Sequence, residues 1–222
     1  MPRQLGEKAA AGEILAGPLP LIEYLRLQDR FERLGHFGIA VRGRVRSAML
    51  FSLKPIRQLD GATIAVTQET STTACLLRLL LEQRYQIMPS SYQRGQPAEA
   101  DALLLIGDDA LRFGHTNQRY PFEVDLAFEW WLWQHLPFVF AVWAVRKDAS
   151  PQEKKQIESS LARALTMNTG QWATIAQEYA PTLGMPAPEL DTYLANFVYR
   201  LGQFEEEGIK RFEELVREHA LL

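Results

Sequence analysis

Residues 136–146 read Leu-Pro-Phe-Val-Phe-Ala-Val-Trp-Ala-Val-Arg and carry no charge before Arg146. The run shows no polar/apolar alternation and is rich in Val and Phe, the pattern of a β-strand buried on both faces. Such a strand in mid-chain needs cover on two sides. It therefore belongs to a layered α/β core or to a connection crossing between two lobes.

The rest of the chain can supply that cover. Its 222 residues suit one large or two small domains, and 47% of them are hydrophobic, enough for a full core. With 24 basic and 27 acidic residues the net charge is -3, which leaves no electrostatic footprint for nucleic acid or for an anionic membrane. The single cysteine, Cys75, excludes an intrachain disulfide and a cysteine-based zinc site. The first twelve residues are polar and Ala-rich rather than basic-then-apolar, and no apolar run is long enough to span a bilayer. The expectation is a cytoplasmic protein with no nucleic-acid or membrane partner.

Along the chain, residues 4–11 read as the end of a helix closed by Gly12. Residues 14–21 are a short strand broken by Gly17, Pro18 and Pro20, and 22–34 are mixed, with a short helical turn. Strands are expected at 44–53, 63–67 and 102–106, and a helix at 71–85 with Leu76, Leu77, Leu80 and Leu81 on one face. Residues 123–133 are amphipathic. Beyond Arg146 the pattern turns helical. Ser150-Pro151-Gln152-Glu153 has the N-cap, N1 and N3 residues of a helix start, and further helices are expected at 172–179, 188–201 and 204–220. Strands alternating with helices, then a helical tail, imply an α/β protein with a parallel sheet.

In open α/β sheets ligands bind where strands end and helices begin. Two such points stand out. At the first, a strand ends and a helix opens through Thr70, Ser71, Thr72 and Thr73, with no acidic residue before Leu81. Free amides, the helix dipole and the hydroxyls favour an anion there; plain N-capping by Ser71 or Thr72 explains the same residues. The second is Gly107-Asp108-Asp109 after the strand at 102–106, where the Gly permits close backbone approach and either Asp can cap the next helix. Neither has the Gly spacing of a P-loop or dinucleotide fingerprint. His36, His115, His135 and His219 lie at no metal-ligand spacing, and no nucleophile elbow or Cys/His pair is present. Trp130, Trp131 and Trp133 read as core packing, and Glu205-Glu206-Glu207 as a solvated first helical turn.

Several segments together resemble the MqnA/MqnD family of menaquinone-biosynthesis enzymes, on its MqnA side, that of the chorismate dehydratases. They are Gly12-Glu13-Ile14 through Ile22-Glu23-Tyr24, Val45-Arg46-Ser47 with Leu50-Phe51-Ser52, Ile64-Ala65-Val66 with Ser71-Thr72-Thr73-Ala74, and Leu105-Ile106-Gly107-Asp108. Asp125-Leu126 with Trp130, the 136–146 run, Tyr199-Arg200-Leu201-Gly202 and Glu207-Gly208-Ile209 with Phe212 continue the match in order. Gly107 stands where the cyclase branch is expected to carry a His base. The sequence departs from the family pattern at Leu15, Leu21 and Gln134-His135, the last replacing a usual Thr-Gly.

The resemblance implies a two-lobed α/β fold like type 2 periplasmic binding proteins, with a helical C-terminal tail and a ligand cleft between the lobes. One lobe is expected from residues 1–54 plus 137–222, lacking an N-terminal strand and Asn-bearing loop of the family pattern, and the other from 55–136. An incomplete sheet has open edges, which favours self-association such as a homodimer. The implied activity is that of a carbon–oxygen lyase of the futalosine route, converting chorismate to 3-(1-carboxyvinyloxy)benzoate without a metal or other cofactor. The alternative is a non-catalytic binding protein for a small carboxylate. Ser71, Thr72 and Thr73 are expected to hold one carboxylate, Gly107 and Asp108 to offer amides across the cleft, and Ser47 to be a further contact. No residue is assigned as the general base.

Overall fold

A computed structural model describes residues 2–67, 71–95 and 99–222. The chain opens with α1 (Pro2–Ala10), β1 (Ala16–Pro20), α2 (Leu21–Arg26), β2 (Phe31–Val41) and β3 (Ala48–Ser52). A short turn at Ile56–Gln58 leads to β4 (Thr63–Val66) and to α3 (Thr72–Arg78), which continues as a wider π-helical turn over Leu79–Arg84. Then come β5 (Ser91–Arg94), β6 (Ala102–Ile106), α4 (Gly107–Thr116), β7 (Phe122–Asp125) and α5 (Leu126–Gln134). The apolar run becomes β8 (Phe138–Arg146), followed by α6 (Pro151–Asn168), α7 (Trp172–Leu183), α8 (Ala187–Ala195), β9 (Phe197–Arg200) and α9 (Gln203–Glu218).

The strands form two sheets, ordered β1-β8-β2-β9 and β5-β4-β6-β3-β7. β8 lies inside the first sheet, hydrogen-bonded to β1 and β2, and none of its residues is exposed. The expected parallel sheet is realised only in part. β4 pairs in parallel with β5 and β6, whereas β3 pairs antiparallel with β6 and β7, and the first sheet is antiparallel throughout its described pairings. Residues 48–52, grouped by the sequence with the lobe ending at 54, hydrogen-bond into the second sheet instead. Two segments cross between the sheets: residues 42–47, from β2 to β3, and residues 135–137, from α5 to β8.

One apolar core runs beneath both sheets, joining Leu21, Ile22 and Val41 to Leu50, Ile64, Leu76 and Trp130. Trp130, Phe138 and Phe212 meet edge to face with centroids 5.4–6.0 Å apart, a favoured aromatic geometry, so Trp130 packs in the core as expected. The Trp130 indole N–H donates to the Pro137 carbonyl at 3.2 Å. That carbonyl also abuts Gly208 on α9, where a Cβ would fall well inside contact distance. The helix start at Ser150 forms as expected: its hydroxyl accepts from the Glu153 amide at 3.2 Å while the Glu153 carboxylate takes the Ser150 amide at 2.8 Å.

The acidic turn at 205–207 is not simply solvated. Glu205 is fully buried, accepting from Arg42 Nε and from the Gly202 amide, and Glu206 forms a two-armed pair with Arg33. Burial works against ionisation of Glu205, but the Arg42 and Gly202 hydrogen bonds hold its carboxyl below the usual range. These pairs fasten α9 to β2.

Two substitutions probe this packing. His135 caps α5 at a φ of +55°, in the left-handed region that glycine enters most cheaply. His135→Gly should stabilise the protein by about 1 kcal/mol in urea unfolding. Gly208→Ala should cost about 1–3 kcal/mol in the same measurement, because the methyl must displace backbone at Pro137.

Candidate functional site

Asp125 organises the ground beside the cleft. As N-cap of α5 it accepts the Phe128 amide on Oδ1 at 3.1 Å, while Oδ2 takes the amides of Val45 and Arg46, each at 2.8 Å. It thereby ties the first crossing segment to the start of the helix that leads into the second. Burial pushes its carboxyl up, with the three amides and nearby Arg44 pulling the other way. Arg46 sits at a φ of +63°, a non-glycine residue in the left-handed region, and Ser47 follows directly.

Between the sheets lies a cavity of about 450 Å³. This is within the range of about 300–1,000 Å³ typical of small-molecule sites. One wall is apolar and comes from the first sheet and its surroundings: Leu5, Pro18, Pro20, Ile39, Phe140, Ala141 and Phe197. Ser47, Ser71, Thr72, Thr73 and Gly107 face it, with Val45, Ile106 and Tyr193 completing the lining. No carboxylate, imidazole, ammonium or guanidinium group is among these lining residues. Among the described residues, no cluster of three or more His, Cys, Asp or Glu side chains is placed to hold a metal.

The structure thus brings together five of the six expected site residues. The exception is Asp108, which is exposed in the first turn of α4 and outside the cavity lining; its charge still reaches Tyr193. Gly107 lines the cavity but its amide is spent, donating to the Ser47 carbonyl at 2.8 Å. It contributes a bare wall instead, at a φ of +59°, with open space where a Cβ would point.

The hydroxyls behave differently from simple caps. Ser71 sits at the N-cap of α3 but makes no capping hydrogen bond, and its buried Oγ has no partner among the described residues. Thr67 Oγ1, at the end of β4, is buried and unpartnered in the same sense. Thr72 Oγ1 accepts the Ile22 amide of α2 at 3.2 Å, which joins the first turns of α2 and α3. With its acceptor side engaged, the Thr72 hydroxyl retains a proton to donate. Thr70, the other hydroxyl of that run, lies outside the described residues.

Sequence reasoning missed Tyr193, whose hydroxyl donates to Ser47 Oγ at 3.0 Å from 146 residues away along the chain. It also missed the apolar wall from Pro18, Phe140 and Phe197. No local signal marks Tyr193, since a Tyr on an amphipathic helix reads as packing.

Two sheets with a lined cleft between crossing segments define an α/β fold of the periplasmic-binding-protein kind. The alkanesulfonate-binding protein SsuA of Xanthomonas axonopodis, bound to MOPS, superposes with a TM-score of 0.67 at 15% identity, covering 100% of this chain and 81% of that one. A protein from Archaeoglobus fulgidus superposes at 0.75 with 21% identity over 100% of this chain and 85% of its own. The family model described as menaquinone biosynthesis matches residues 1–218, and the chain belongs to that family. The chorismate dehydratase of Thermus thermophilus is 32% identical over 96% of this chain and 84% of its own length.

The serine and threonine arrangements predict stability effects of different size. Thr72→Val leaves the buried Ile22 amide unpaired and should cost about 1–3 kcal/mol in chemical denaturation. Ser71→Ala removes a hydroxyl with no partner among the described residues and should change stability by less than about 0.5 kcal/mol.

Proposed function

We propose that the chain is a chorismate dehydratase, converting chorismate to 3-(1-carboxyvinyloxy)benzoate in the futalosine route of menaquinone biosynthesis. The observation that carries the reading is the cavity itself: hydroxyls at the start of α3, with Ser71 Oγ buried and without a partner among the described residues, together with an apolar wall. A buried polar atom without a partner is costly unless a ligand supplies one. Membership of the menaquinone family and the 32% identity to a chorismate dehydratase support the same substrate.

Chorismate has a ring that suits the apolar wall and two carboxylates that suit hydroxyl and amide donors. Ser71, Thr72 and Thr73 bind one carboxylate, aided by the dipole of the helix that begins there. Ser47 donates from the neighbouring crossing segment.

The elimination is driven by the substrate. A ring hydrogen leaves as a proton, its electron pair forms the new ring double bond, and the ring hydroxyl departs with its pair; proton and hydroxide together make water. The ring becomes aromatic, so the reaction is strongly downhill. What remains for the protein is to hold the ring in a reactive conformation, keep bulk water out and bear the carboxylate charge. A cleft whose described lining holds no ionisable side chain apart from the Tyr193 phenol suits that division of labour.

Incubation with chorismate should yield the aromatic product, followed by absorbance and identified by mass. Ser71→Ala and Thr73→Val should each weaken chorismate binding about tenfold or more, the cost of a lost hydrogen bond to a charged group, with Ser71→Ala leaving the unfolding midpoint in place. Saturable heat on titration with no product would identify a small-carboxylate binding protein. Neither heat nor product would overturn the reading.

A further inference from the structure

We propose that Tyr193 is a positioning residue of the cleft, holding the Ser47 hydroxyl so that its proton is directed at the bound substrate. The inference rests on reading the cavity as the chorismate site. It deepens that reading by assigning a role to a residue from α8, outside the helix starts that line the hydroxyl face.

The backbone on either side of the Ser47 side chain is held. Its carbonyl takes the Gly107 amide at 2.8 Å. The residues before it are pinned by Asp125 through the Val45 and Arg46 amides, and the residue after it starts β3. Its side chain is 8% exposed, and it lines the cavity. The Tyr193 hydroxyl then reaches Ser47 Oγ at 3.0 Å.

The direction of that bond follows from acidity. A phenol is a far stronger acid than an aliphatic alcohol, so Tyr193 donates and Ser47 accepts. Burial of the phenol raises its pKa, which Ser47 partly offsets and the Asp108 charge reinforces, so the donated proton stays in place at working pH. With its acceptor side occupied, the Ser47 hydroxyl has its own proton left to give, and the cavity is the space it lines. Thr72, whose Oγ1 accepts the Ile22 amide, is set in the same way from the other side.

Tyr193 is itself held. Its ring meets Phe197 edge-on, with centroids 5.0 Å apart and planes at 90°. It also lines a second, polar cavity of about 410 Å³ that contains Arg44, Arg46, His115 and Glu123. The phenol thus lines both a cavity whose described lining is uncharged and one that is charged.

The test is a double-mutant cycle on the full chain with Tyr193→Phe, Ser47→Ala and the pair, by calorimetric titration with chorismate and by steady-state kinetics. Tyr193→Phe keeps the ring against Phe197 and removes only the hydroxyl. It should raise the chorismate Kd and KM about fivefold to tenfold and leave kcat within about twofold, the pattern of lost uniform binding. The pair should bind no worse than Ser47→Ala alone. Losses that multiply, an unchanged Kd in Tyr193→Phe, or a fall in kcat at constant KM would overturn the proposal. Thermal unfolding of the same four proteins, without substrate, reads the contact separately: the Tm shifts must be non-additive, and additive shifts would overturn it. Failure of the unmutated chain to bind chorismate would instead overturn the reading of the cavity, and with it this role.

Discussion

Three backbone amides from two distant segments converge on the carboxylate of Asp125, and the site depends on that convergence. Val45 and Arg46 belong to the strand-to-strand crossing, and Phe128 to the first turn of α5. One side chain therefore sets where the chain leaves the first sheet and where the helix begins that returns it. Ser47, two residues beyond Val45, takes its place in the cavity wall as a consequence. The left-handed turn at Arg46 is stabilised by the same bonds. Removing a carboxylate that satisfies three amides would leave all three unpaired at once, the Val45 amide buried and the other two part-buried, which is more costly than losing one ordinary hydrogen bond.

Charge is distributed to fit this arrangement. The close ion pairs lie away from the cleft, where Arg33 and Arg42 on and after β2 engage Glu206 and Glu205 on α9. Glu205 is fully buried while its partner Arg42 is half exposed, so that pair ties α9 to the chain just after β2 from the edge of the core. The described lining of the cleft holds no charged side chain, and hydroxyls and helix-start amides are the donors offered to an anion. Neutral donors held in place from outside suit a ligand whose own groups carry the charge.

The elements with strong local signals were legible. β8, α1, the 71–85 helix and the capping box at Ser150 follow from apolar runs, Gly stops and cap residues. β2 was not, because two glycines and two register shifts break its alternation. β9 is four residues long, too short to interrupt a helical pattern, and it owes its form to pairing with β2. β7 runs straight into α5, so the two read as one amphipathic stretch. Of the site, Ser71, Thr72, Thr73, Gly107 and Ser47 could be singled out because strand ends and family-like motifs mark them. Tyr193 and Asp125's three-way role could not, since both depend on partners far away in sequence.

The sequence by itself determined that β8 is buried on both sides, since a charge-free run of Val, Phe and Ala has no stable position at a surface. It also determined that the chain resembles the menaquinone-biosynthesis family, and that a run of hydroxyls opens the helix after β4. Only the tertiary structure decided that β3 joins the second sheet, that the Gly107 amide is occupied and that Asp108 lies exposed outside the cavity lining. Local periodicity records which face of an element is buried. It does not record which edge the element pairs with, nor which distant donor reaches a given oxygen. Those are set by the mutual packing of sheets and crossings, and here they determine which atoms remain free for a ligand.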